Sequence, residues 1–114
     1  MKDYDEDNYL LFEGEYLNGE RNGKGKDYCY NSNYEGYYLN GKRNGKGKEY
    51  NNKNELIFEG EYFNGYKIKG KAYIKGKVEF EGEYLFNKKW NGKGYDETGN
   101  IIYELNNRNG KIKE

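Results

Sequence analysis

Three groups of residues in this chain have the types and spacing that chemistry could use. Glu13/Glu15 and Glu81/Glu83 are carboxylates two residues apart, as in an acid–base pair. Asp3, Asp5 and Asp7 alternate as at the start of a calcium loop. Gly19-Glu20-Arg21-Asn22-Gly23-Lys24-Gly25 superficially resembles a phosphate loop. Each fails on its surroundings. The carboxylate pairs recur from unit to unit and face lysines, which reads as a structural ion ladder. The calcium pattern needs a glycine where Asn8 stands and a glutamate where Gly14 stands, leaving an acidic, frayed terminus. The phosphate loop is one residue short between its glycines and has neither Ser nor Thr after the lysine. Histidine is absent, which excludes Ser-His and Cys-His nucleophiles, and Cys29 reads as a small apolar filler. The sequence therefore predicts no enzyme, no metal site and no cofactor.

The elements that carry these residues are repeats. Phe12-Glu13-Gly14-Glu15-Tyr16-Leu17-Asn18-Gly19 returns as Tyr34 to Gly41, as Phe58 to Gly65, and as Phe80 to Asn87. The central glycines at 14, 36, 60 and 82 set a period of 22 to 24 residues, the signature of stacked supersecondary units. Each unit has a second half, Asn22-Gly23-Lys24-Gly25-Lys26, repeated as Asn44 to Lys48 and more loosely around Gly70 and Gly92. Asn-Gly pairs between the halves favour tight hairpin turns. The units run over about 9–30, 31–52, 55–75 and 77–97, with a degenerate cap at 100–114, in one domain over 1–114.

Period-2 alternation makes the halves strands. Phe12, Gly14 and Tyr16 oppose Glu13 and Glu15. Val78, Phe80, Gly82, Tyr84 and Phe86 oppose Glu79, Glu81 and Glu83. Ile68, Gly70, Ala72 and Ile74 oppose Lys69, Lys71 and Tyr73. Gly23, Gly25 and Cys29 join the apolar face, Lys24 and Lys26 the charged one. Glycines next to aromatics leave room for rings to lie over bare backbone. Glu-rich and Lys-rich strands alternate, so cross-strand pairs account for the 20 basic and 20 acidic residues cancelling. Leu17, Leu39, Phe63 and Leu85 share one position near the turns and predict a short apolar ladder. The hydrophobic fraction is only 33%, but 18% of residues are aromatic, enough to bury area without aliphatic bulk. The predicted fold is all-β, a single elongated, twisted antiparallel meander of about ten strands.

The motif aromatic-Glu-Gly-Glu-Tyr-x-Asn-Gly, followed by Asn-Gly-Lys-Gly, resembles the MORN (membrane occupation and recognition nexus) repeat. The resemblance is specific over 9–97 and weak over 100–114. It departs in having Tyr at 16, 38, 62 and 84, where Trp is commoner, and in the irregular stretches at Ile68 and Phe86 to Trp90. It implies a sheet of β-hairpins that acts as a scaffold or protein-binding module, with homodimers frequent and phospholipid binding proposed for the family. Small bacterial relatives of the repeat are described as antitoxin-like.

The expectation is a non-enzymatic, cytoplasmic protein-binding module, a scaffold or adaptor. The alternatives are a stoichiometric inhibitor of another protein, antitoxin-like or a phage anti-defence protein, and a phospholipid-surface binder. The expected contact residues are Phe12, Tyr16, Tyr34, Tyr38, Phe58, Tyr62, Phe80 and Tyr84, exposed on the aromatic face unless curling or dimerisation buries them. Trp90 beside Lys88 and Lys89 reads either as a partner anchor or as an edge-packing ring. Nucleic acid is disfavoured, because each Lys strand is flanked by Glu strands. No apolar stretch is long enough for a signal or a transmembrane helix.

Overall fold

The computed structural model describes residues 1–29 and 32–107. Ten strands form one antiparallel sheet in which neighbours in sequence are neighbours in space. They are β1 (Lys2–Tyr4), β2 (Leu10–Leu17), β3 (Glu20–Tyr28), β4 (Ser32–Leu39), β5 (Lys42–Asn51), β6 (Leu56–Phe63), β7 (Tyr66–Ile74), β8 (Lys77–Leu85), β9 (Lys88–Tyr95) and β10 (Ile101–Leu105). No helix is present among the described residues. The sheet measures 46 × 31 × 20 Å with a radius of gyration of 16.0 Å, against about 13 Å for a compact domain of this length. It is an elongated meander, as the repeats predict.

One of the ten strands arises where the sequence reading did not place it. Arg108–Glu114, read as the second half of the cap, lies outside the described residues. The tenth strand is β1 instead, drawn from the terminus read as frayed. The Met1 ammonium donates to the Gly14 carbonyl at 2.8 Å. Asp3 accepts from the Tyr16 hydroxyl, and Asp5 accepts from the backbone of Asp7 and Tyr9 at 2.9 and 3.0 Å. The alternating aspartates thus fasten a strand and a turn.

The turns follow their residues. Asn18-Gly19, Asn40-Gly41 and Asn64-Gly65 have φ of 51/82, 52/84 and 52/89°, the paired positive values of a two-residue type I′ hairpin. Between units the chain uses a second device. Asn51 and Asp96 each accept backbone N–H groups two and four residues on, near 2.9 Å, as Asp5 does. Hairpin tips also bond to the preceding unit, Gly41 N to Arg21 O and Gly65 N to Arg43 O, both at 2.9 Å.

The sheet's spine is a row of glycines in register, Gly14, Gly25, Gly36, Gly47, Gly60, Gly70, Gly82 and Gly92, on β2 to β9. Rings lie over it as expected. A Cβ on Gly25 would sit 2.5 Å from Cζ of Phe12, and one on Gly70 would sit 2.7 Å from Cζ of Phe58. The rings interlock edge to face in a chain Tyr16–Phe12–Tyr38–Tyr34–Tyr62–Phe58–Tyr84–Phe80, with centroids 5.1 to 5.7 Å apart. Tyr103 stacks on Phe80 at the end. Every second contact in the chain joins two units, so each repeat is held by the next.

Candidate functional site: two charged layers on one sheet

The aromatic row is interior. Phe12, Tyr34, Tyr38, Phe58, Tyr62, Phe80 and Tyr84 are all buried, and Tyr16 is half-buried at the end of the row. Of the two expectations for this stripe, exposed or buried, the second is the one observed. Among the described residues no helix covers the rings; they are covered by each other and by a layer of cations. The Arg21 guanidinium lies 4.1 Å from the Phe12 ring centre and Arg43 4.3 Å from Tyr34. The Lys67 and Lys89 ammonium groups lie 4.5 and 5.1 Å from Phe58 and Phe80. Each such contact contributes about 0.5–2 kcal/mol, more as water is excluded.

Each cation has an acid on the same face. Arg43 donates from Nη2 to Asp27 at 3.0 Å and stands 3.6 Å from Glu49. The Tyr38 hydroxyl donates to Asp27 at 2.5 Å, and the Tyr62 hydroxyl donates to Glu49. Asp3 serves Tyr16 and Arg21 in the same way, and Glu79 accepts from Lys89 at 2.6 Å. The sequence reading missed this layer. Its signal was present: Asp27 and Glu49 share the alternation phase of Gly25 and Gly47, and Arg21, Arg43, Lys67 and Lys89 all lie two residues past a hairpin turn. Phe86, Ile68 and Cys29 are corrected in the other direction. Phe86 is an exposed turn residue, Ile68 sits exposed in a register shift, and Cys29 is exposed with its thiol towards Asp27 at 3.5 Å. Burial and the Asp27 charge raise the Cys29 pKa. Trp90 is half-buried on β9, and its carbonyl accepts from Asn107 at 2.7 Å.

The buried network sets the ionisation of the row. Burial, then the Asp27 bond, raises Tyr38; burial, then the Glu49 charge, raises Tyr62. Burial pushes Tyr34 and Tyr84 up to about 12. For Arg43, burial opposes the charge, but Asp27 and Glu49 outweigh it and its pKa rises. The tyrosines predict a steep alkaline transition. Unfolded tyrosines ionise near pH 10 while the folded row stays neutral, so stability is full below about pH 10 and falls as pH rises towards 12. Circular dichroism followed with tyrosinate absorbance should show the buried tyrosines of the row ionising together with unfolding, after the exposed ones. Ionisation of every tyrosine in a still-folded protein would contradict this.

The other face carries the expected ladder. Lys2, Glu13, Lys26, Glu35, Lys48, Glu59, Lys71, Glu81, Lys93 and Glu104 stand in register with alternating sign from β1 to β10. Lys26–Glu35 close to 3.2 Å and Lys69–Glu61, in a parallel row, to 3.3 Å. Between the two rows the glycine backbone is bare, making an open trough of about 1250 Å³ across β1 to β8. Glu13 and the Glu81/Glu83 pair belong to these walls, while Glu15 accepts from the Lys24 backbone N–H at 2.6 Å. Leu17, Leu39, Phe63 and Leu85 continue the same face at the hairpin end, all exposed, and form an apolar lip joined by Tyr66 and Phe86. Among the described residues no cluster of acids and cysteine could hold a metal ion.

Neither a scan against protein-family models nor a search of curated proteins returns a match for this chain.

Proposed function

We propose that this chain is a MORN-type protein-binding module of the cytoplasm, a scaffold or adaptor without catalytic activity. It makes contact through the Glu/Lys trough and its apolar lip. The aromatic row acts from beneath, holding the sheet rigid so that the trough is pre-organised. The motif in the repeats and the lone thiol of Cys29 support the family and the compartment.

The observation that carries the reading is Phe86. It is 69% exposed, rests edge to face on Tyr66 at 5.7 Å, and is held at φ 50°. A bulky residue in the left-handed region costs roughly 1–2 kcal/mol, and the equivalent position in three other units is Asn18, Asn40 or Asn64. A strained, exposed ring at the end of an apolar row is a contact residue rather than a folding residue.

The test is affinity capture from the source cell, followed by titration of the purified partner. Phe63→Ser with Phe86→Ser should weaken binding at least tenfold, as loss of an aromatic anchor does, with no loss of melting temperature. Undiminished affinity in that double variant would rule out the lip. Tyr38→Ala is unsuitable for this test, because an interior ring reports on folding.

A further inference from the structure

The ladder has a gap. In the row that follows each central glycine, three units carry an acid, Glu15, Glu61 and Glu83, but the second carries Tyr37. Tyr37 is 42% exposed and stands in register with Lys24, whose ammonium lies 5.8 Å from its ring centre. Beyond it on β5 are Lys46 and Lys48. Lys46 faces Glu61, already paired with Lys69, and Lys48 stands between Glu35, already paired with Lys26, and Glu59, which accepts from the Tyr73 hydroxyl. Among the described residues no carboxylate lies within ion-pair distance of the ammonium groups of Lys24, Lys46 or Lys48.

On the reading of the trough as a protein-binding surface, we infer that this gap is a subsite for one or two acidic side chains of a partner peptide. Three exposed lysines, Lys24, Lys46 and Lys48, line the trough around the bare backbone of Gly36 and Gly47, with Tyr37 among them. The patch is short. Adjacent strands are about 4.8 Å apart, so β3 to β5 span roughly 10 Å, and the flanking strands bring Glu13 and Glu15 on one side and Glu59 and Glu61 on the other. A nucleic-acid strand, with a charge every 3.4 Å or so, would run onto those glutamates at both ends. A carboxylate pair flanked by neutral or basic residues fits between them. Leu39, two residues beyond Tyr37 on the same face, offers an adjoining apolar contact.

The probe is a blocked peptide Gly-Glu-Glu-Gly, titrated into the labelled protein and read by amide shifts. Saturable shifts centred on Gly36, Tyr37 and Gly47 are expected, with a Kd in the roughly millimolar range, and none with Gly-Gln-Gln-Gly. Tyr37→Glu restores the residue type of the other units, so it should fold normally and weaken the peptide at least fivefold. Glu61→Tyr widens the gap and should strengthen it. No saturable shift, equal affinity in Tyr37→Glu, or preference of the same site for inorganic triphosphate or phosphatidylserine vesicles would each overturn the inference. A captured partner that is sensitive to Phe63→Ser with Phe86→Ser but indifferent to Tyr37→Glu would overturn the subsite and leave the binding surface standing.

Discussion

Asp27→Ala should lower the unfolding free energy by about 3–5 kcal/mol, the usual cost of removing one partner from a buried ion pair. That is a large share of the total of about 5–15 kcal/mol typical of a domain. Asp27 is only 7% exposed and accepts from the Tyr38 hydroxyl and from Nε and Nη2 of Arg43. Without it Arg43 keeps, among the described residues, Glu49 at 3.6 Å as its acid and the Tyr34 ring beneath it, and a buried hydroxyl loses its acceptor. Asp27→Asn, which keeps an acceptor and loses the charge, should fall between wild type and Asp27→Ala. Urea denaturation gives both values. A loss under about 1 kcal/mol for Asp27→Ala would place the pair in the class of exposed surface bridges and refute the buried network.

Gly82→Ala should cost about 3 kcal/mol or more, at the upper end for overpacking. The added Cβ would overlap the Asn91 carbonyl oxygen and lie 2.6 Å from Gly92 Cα. Both are backbone atoms of the paired strand, so relief requires the strands to part. Gly41→Ala is the control. Nothing lies within 4 Å of its Cβ position, but its φ is 84°, so only conformational strain remains, about 1 kcal/mol. Thermal melts of the two variants should differ severalfold in their shifts. Equal shifts would mean that the glycine row is there for chain flexibility rather than for close approach.

Much of this was legible in the chain. A period of 22 to 24 residues, Asn-Gly turns and strict alternation define hairpins, their order and the two faces, because these depend on local conformation and on nearest-neighbour pairing. The Glu–Lys ladder follows from the same alternation. Where local rules were incomplete, the reading slipped. Ile68, read on the apolar face, falls at a register shift, where one side of a pair has an extra residue and the phase changes. The β1 strand carries none of the repeat's motif; it is fastened by Lys2 to Glu13 of β2 and by Asp3 to Tyr16 of β2 and Arg21 of β3, charges that the repeat supplies elsewhere.

The sequence by itself determined that one face is aromatic and the other charged. Only the tertiary structure decided which of them meets solvent. Alternation fixes the direction of a side chain but not what lies above it. Here Arg21, Arg43, Lys67 and Lys89 each lie over a ring of the strand they pair with, Arg21, Arg43 and Lys67 also approach a ring of the next unit, and Asp3, Asp27, Glu49 and Glu79 hold them there. Those contacts join residues in different strands, and several of them join different units, so they exist only once the strands are in register. They turn the aromatic face into a core and leave the Glu/Lys trough, with its gap at Tyr37, as the surface the molecule presents.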